Sequence, residues 1–144
     1  MDQQIQRMIY LEIDKRSYAL MKAAEQFVDQ HNLLTGSQAS GLAGVANCVD
    51  SLSTLITTYI QHQATRSTTR DPKFWQELKR EIEGLRKQAQ EIQEKLGLTW
   101  NSQKAQKDQL NQIQLLLARD YIQHLAAHEV YRKVSQGGNH DSLA

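Results

Sequence analysis

Apolar residues recur along this chain at three- and four-residue steps, the period of amphipathic helices, and no stretch shows the two-residue alternation of a strand. The first stripe, Ile5, Met8, Ile9, Tyr10 and Ile13 followed by Leu20, Ala23, Ala24, Phe27 and Val28, predicts one helix over about residues 2–31. Asp14, Lys15, Arg16 and Ser17 interrupt it with residues expected to face solvent, a place for a bend. After the break at 32–37, Thr35 and Gln38 have capping-box spacing. A short helix through Leu42, Val45 and Ala46 should follow, built from small residues that let a neighbouring helix approach closely. Asp50 or Ser51 caps a third helix with the stripe Leu52, Leu55, Ile56, Tyr59 and Ile60, which fades into a hydroxyl-rich linker, Ser67, Thr68, Thr69 and Arg70.

Asp71 and Pro72 form the strongest start signal, an acid at the cap and a proline at the first helical position. Trp75, Leu78, Ile82, Leu85, Ala89, Ile92 and Leu96 then alternate steps of three and four, a heptad seam predicting one long helix packed along its length on another. Gly97 ends it as a C-cap. Thr99 or Asn101 opens the last helix, with Leu110, Ile113, Leu116, Leu117, Tyr121, Leu125, Val130 and Tyr131 as its stripe. The expected fold is all-α: a single-domain bundle of about five helices over residues 1–134, its two long C-terminal helices antiparallel, with a flexible C-terminal tail over 135–144 containing Gly137 and Gly138.

With 1 Pro and 7 Gly in 144 residues, few points punctuate the helices, in keeping with that reading. Lys and Arg total 17 against 16 Asp and Glu, so any attraction to a polyanion must come from local charge rather than from the chain as a whole. A single cysteine, Cys48, excludes an internal disulfide framework and a multi-cysteine zinc site; set among small residues, it is expected to be a buried, inert thiol. No apolar run is long enough to span a membrane, and the start, Met1, Asp2, Gln3 and Gln4, has neither the basic residues nor the apolar stretch of a secretory signal. A cytoplasmic location is the expectation.

Candidate chemistry is sparse. Phosphate loops, nucleophile elbows and zincin helices are missing, so the chain reads as a non-enzyme without cofactors. Asp120, His124 and His128 share one helix face at four-residue steps, the spacing of metal ligands; histidines hydrogen-bonded to neighbouring residues explain the row more simply, and no metal site is assigned. Charge is more informative. Between residues 61 and 80, five bases (Arg66, Arg70, Lys73, Lys79, Arg80) face two acids (Asp71, Glu77), a local net charge of +3. These bases fall at a helix–linker–helix corner beside Gln63, Ser67, Thr68 and Thr69, a pattern suited to phosphate contacts, although solvated corners beside loops carry charge for no such reason. Lys104, Lys107, Arg119, Arg132 and Lys133 make a second, weaker basic group. Trp75 and Tyr59 continue apolar stripes and read as core, so bases are not expected to stack on them.

The middle of the chain resembles the small all-α subunits of CRISPR effector complexes of type III and the related type I-D. The resemblance rests on Leu34, Thr35 and Gln38, the small-residue run to Asn47, then Ser51 through Tyr59, Ile60, Gln61, His62, Gln63 and Arg66, and Trp75, within residues 34–80. It implies a non-catalytic antiviral subunit whose copies stack beside guide RNA and its target strand, held also by other effector subunits. Its basic residues would touch the sugar-phosphate backbone while guide pairing supplies specificity. The implied contacts are Arg66, Arg70 and Lys73 foremost, with Gln63 and Arg80; Asp71 inside the patch departs from this unless it is consumed in capping. The competing expectation is a helical adaptor or homodimer that uses the 75–96 seam and binds no nucleic acid.

Overall fold

The computed structural model describes residues 3–31, 36–66 and 72–143, which are helical apart from short connections. The elements are α1 (Gln3–His31), α2 (Gly36–Cys48), a π-helical segment (Thr54–Ile60) running directly into α3 (Gln61–Thr65), α4 (Pro72–Gly84), α5 (Arg86–Leu96) and α6 (Gln103–Leu143). The all-α bundle is therefore observed, and no strand occurs among the described residues. Five rods are formed if the π-helical segment is taken with α3 and α4 with α5.

The axis of the bundle is α6. Ile113, Leu117, Ala118, Tyr121, Ile122 and Leu125 are almost completely buried, and its neighbours are α1, α2 and α5. Pairing of side chains fixes their directions. Ser17 and Val28 of α1 meet Asp120 and Arg132, so α1 runs parallel to α6. Ala43 and Ala46 of α2 meet Gln123 and Arg119, and Arg86 and Gln93 of α5 meet Asn111 and Gln109, so both of these run antiparallel to it.

The first helix is continuous through 14–17, and Tyr10, read into its apolar stripe, is 46% exposed. Ser17 is half-buried on the α6 side and Arg16 is turned onto α5, where it bonds Glu91 at 3.1 Å. Asp14 and Lys15 are exposed, as the sequence predicts, while Arg16 and Ser17 make polar contacts between helices. In α2, Ala39, Leu42 and Ala46 form the buried edge, whereas Gly41 and Gly44 are exposed; the close approach is made by alanines. Cys48, in the last turn of α2 and off that edge, is exposed, which corrects the expectation of a buried thiol. Ser51 caps the next segment, its Oγ accepting from the Thr54 N–H at 3.2 Å. Thr35 and Asp71, the other capping residues read from the sequence, lie outside the described residues.

The expected long helix over 72–96 is interrupted at Leu85, which stays in the right-handed region at φ −70° and ψ −11° but makes a tighter turn. Its N–H bonds the Ile82 carbonyl at 3.2 Å, three residues back, and the ladder restarts with the Ala89 N–H on the Leu85 carbonyl at 3.0 Å. Gly84, a weak helix former, precedes the break. The seam survives it: Trp75, Leu78, Ile82, Leu85, Ala89 and Ile92 are all buried. What changes is the partner. α5 lies along α6, while α4 packs on the π-helical segment and α3. Gly97 closes α5 in the left-handed conformation at φ 61°, as the sequence predicts. Ser102 rather than Thr99 or Asn101 caps α6, its Oγ accepting from the Ala105 N–H at 3.1 Å. The helical backbone of α6 continues through Gly137 and Gly138 to Leu143, across the stretch assigned to the tail. Glycine weakens an established helix by about 1 kcal/mol per residue without forbidding its propagation.

Candidate nucleic-acid interface

The basic corner is built where α3 stops and α4 starts. Arg66 leaves the helix with φ −68° and ψ 134°, an extended conformation that ends α3 and leaves its side chain exposed. Its guanidinium acts on Tyr59, one face-length back along the rod: burial raises the Tyr59 phenol above its ordinary value, and the Arg66 charge opposes that. Beneath the corner lies a cluster of rings. Tyr59 meets Trp75 edge-on at 6.1 Å, Trp75 meets Phe74 at 5.4 Å, and Phe74 meets Phe27 of α1 at 5.3 Å. Trp75 and Phe74 are 2% exposed, so these two rings support the corner and offer no face to a nucleobase, while Tyr59 is half-buried.

The sequence-predicted residues are distributed as follows. Lys73 is exposed on the first turn of α4 and Gln63 is half-buried on α3. Arg80 lies one heptad beyond Lys73 on the same outward face, 75% exposed, and bonds Glu77 at 3.0 Å. Such an exposed pair adds little to stability and exchanges readily for another anion. Lys79 is turned the other way, towards α3, and donates to Gln61 Oε1 at 3.0 Å. The structure therefore places Arg66, Lys73 and Arg80 on exposed surface of the α3 end and α4, sets Lys79 apart, and Arg70 lies outside the described residues.

The second basic group is dispersed and partly consumed. Arg119 donates from Nε to the Ala46 carbonyl at 2.8 Å and from a terminal nitrogen to the Val49 carbonyl, satisfying the end of α2. Arg132 does the same for α1, donating to the Val28 carbonyl at 3.2 Å with Asp29 3.6 Å from its Nε. Both are helix caps supplied by α6, a role that sequence spacing conceals because the partners lie some 70 or more residues away.

The row on α6 does not converge. Asp120 and His124 pair with Ser17: Ser17 Oγ donates to Asp120 Oδ2 at 2.9 Å and lies 2.9 Å from His124 Nε2, which is 3.2 Å from the same carboxylate oxygen. With the hydroxyl proton given to Asp120, Ser17 is left to accept from Nε2–H, so the imidazole is no base towards the serine. Serine and aspartate also share one ring nitrogen, where a relay needs one on each. His128 turns instead to Asp29 of α1 at 3.0 Å. Among the described residues, no three side chains of His, Cys, Asp or Glu form a metal-sized group.

No helix of the described residues is long and apolar enough to cross a membrane. No protein family, curated protein or solved structure matches this chain.

Proposed function

We propose that the protein is a non-catalytic subunit that holds a nucleic-acid strand by its sugar-phosphate backbone at the α3–α4 corner. The observation that carries this reading is the exposure of Arg66, Lys73 and Arg80 on one helix end and the first three turns of the next, over the buried Phe74 and Trp75. Arg70, in the linker between them, adds a fourth charge. Cations on a firm corner whose Trp75 and Phe74 are buried suit phosphates better than bases. The resemblance to small subunits of CRISPR effectors supplies the setting: guide RNA with its target strand as ligand, neighbouring effector subunits and further copies of this chain as partners, in the cytoplasm. Weak contacts at each copy would add through effective concentration along one strand.

The test is retention of single-stranded RNA across a salt titration. Binding should fall linearly on a log–log scale, with a slope of about −0.7 per phosphate contact. A chain carrying Arg66→Glu, Arg70→Glu and Lys73→Glu should lose retention while keeping its helical circular dichroism. Unchanged retention in that variant removes the assignment.

A second reading, a helical adaptor, has one observation in its favour: Val130, Tyr131 and Val134 expose apolar surface on α6 beside Ala43 of α2. In the 75–96 seam Trp75, Leu78, Ile82, Leu85, Ala89 and Ile92 are buried within this chain and Leu96 is half-buried, so the exposed α6 patch is the better support for this reading. Concentration-dependent mass in solution, with no RNA retention, would favour it.

A further inference from the structure

Arg86 opens α5 as a charge without a counter-charge. It is half-buried, forms no ion pair among the described residues, and is held by two neutral oxygens of α6, Asn111 Oδ1 at 3.1 Å and Gln114 Oε1 at 3.3 Å. Both bonds leave from Nη1, so the Nε–Nη2 edge of the guanidinium makes no bond among the described residues. That edge is not sealed away. Among the described residues, Tyr121 Oη is the one side-chain polar atom that is both buried and without a partner. Two parallel N–H donors on such an edge match the two oxygens of a carboxylate.

Arg86 stands at one end of a groove of about 610 Å³ between α5, α6 and the connection that joins them. This is the size of a small-molecule site, about 300–1,000 Å³. Gln93 spans its floor, donating to the Gln106 carbonyl at 3.2 Å, and so ties the two walls together. At the other end Leu98 and Trp100 are half-buried. The Trp100 N–H is taken by Gln109 Oε1 at 2.8 Å, which holds the indole in place and leaves its apolar ring as the surface it offers. Charge in the walls sets the charge of an occupant. Lys107 on α6 is exposed and has no ion pair among the described residues, and Glu94 lies eight residues beyond Arg86, about 12 Å along α5. Two bases against one acid are balanced by a single negative charge, and a dianion would overcompensate them.

We propose that the groove between α5 and the start of α6 binds a small aromatic monocarboxylate, its carboxylate on the Nε–Nη2 edge of Arg86 and its ring against Trp100 and Leu98. The site shares no residue with the α3–α4 corner and does not depend on nucleic-acid binding.

The experiment uses the full chain with phenylacetate as probe, read by isothermal titration calorimetry and thermal denaturation. Its neutral and cationic counterparts are 2-phenylethanol and phenethylammonium, and acetate is the anion without the ring. Phenylacetate should bind with 1:1 stoichiometry and raise Tm with its concentration. Phenylethanol and acetate should bind at least tenfold more weakly, and phenethylammonium not at all. Gln90 is exposed in the groove wall one turn from Arg86, so Gln90→Glu brings a carboxylate to the fork without touching the core. It should weaken phenylacetate by tenfold or more. Arg86→Lys keeps the charge and loses the fork, and should weaken it similarly; circular dichroism and Tm without ligand report the folding of each variant. Trp100→Ala should weaken phenylacetate and leave acetate unchanged. The chain carrying Arg66→Glu, Arg70→Glu and Lys73→Glu should bind phenylacetate as wild type does, so that either site can fail without the other. Absence of phenylacetate binding, equal binding of phenylethanol, or binding undiminished by Gln90→Glu overturns the proposal.

Discussion

Gln114 is 2% exposed at the centre of α6, where an apolar residue would fill the space at less desolvation. Its amide explains why it is there. Nε2 donates to the Ile82 carbonyl at 3.0 Å and the Glu83 carbonyl at 3.4 Å, in the turn where the break at Leu85 disturbs the helical ladder. Its Oε1 in turn accepts from Arg86 at 3.3 Å. Gln114→Leu should therefore destabilise the fold by about 1–3 kcal/mol despite the gain in apolar surface, because the Glu83 carbonyl is left without that donor. Urea unfolding reads this directly, and an unchanged or raised midpoint would refute the account. Nothing in the sequence marks Gln114 among the many glutamines. Its role exists only because α4 breaks where α6 passes.

Among elements, α2 is the one most dependent on a neighbour. Its core edge is Ala39, Leu42 and Ala46, little apolar surface for a rod of 13 residues, and the interior Gly41 and Gly44 lower its helical preference. Arg119 of α6 compensates by holding the last carbonyls of α2 and its following turn. Arg119→Met keeps the aliphatic stem and removes the donors, so it should cost about 1.5–3 kcal/mol. The α2 amides should exchange with solvent faster than those of α1 or α5. Uniform exchange across the three helices would show that the cap is incidental. Here the sequence pattern was legible in part: small residues correctly marked α2 as a helix held close to another. It did not show that alanines rather than glycines make the contact, nor that a residue grouped among surface bases supplies the cap.

At the scale of the molecule, α1 and α5 are joined through one carboxylate. Glu12, 6% exposed, accepts from Lys95 of α5 at 3.0 Å and from its own neighbour Lys15 at 3.1 Å. Those two ammonium groups, Lys95 first, hold its carboxyl below the ordinary value of 4.5 despite burial. A depressed folded value means that the contribution is fully present above the unfolded value and is lost as pH falls through the folded one. Wild type should thus exceed Glu12→Gln in stability near neutrality, with the difference shrinking from about pH 5 downwards as Glu12 is protonated. A difference that stays constant with pH would mean that the residue acts through packing alone. The parallel course of α1 and α6 also decides the fate of the α6 histidines: Ser17 and Asp29 of α1 take up His124 and His128 separately, and a row that sequence spacing presents as one ligand set becomes two contacts. Helical period, the Pro72 start and the Gly97 stop are local properties of backbone and side-chain packing, so the sequence by itself determined that this chain is an all-α bundle and where most rods lie. Which charges are consumed as caps, which remain exposed at the α3–α4 corner, and where a groove is left beside a half-buried guanidinium depend on pairs of residues tens of positions apart. Only the tertiary structure decided those, because no one-dimensional period encodes which faces of different helices meet.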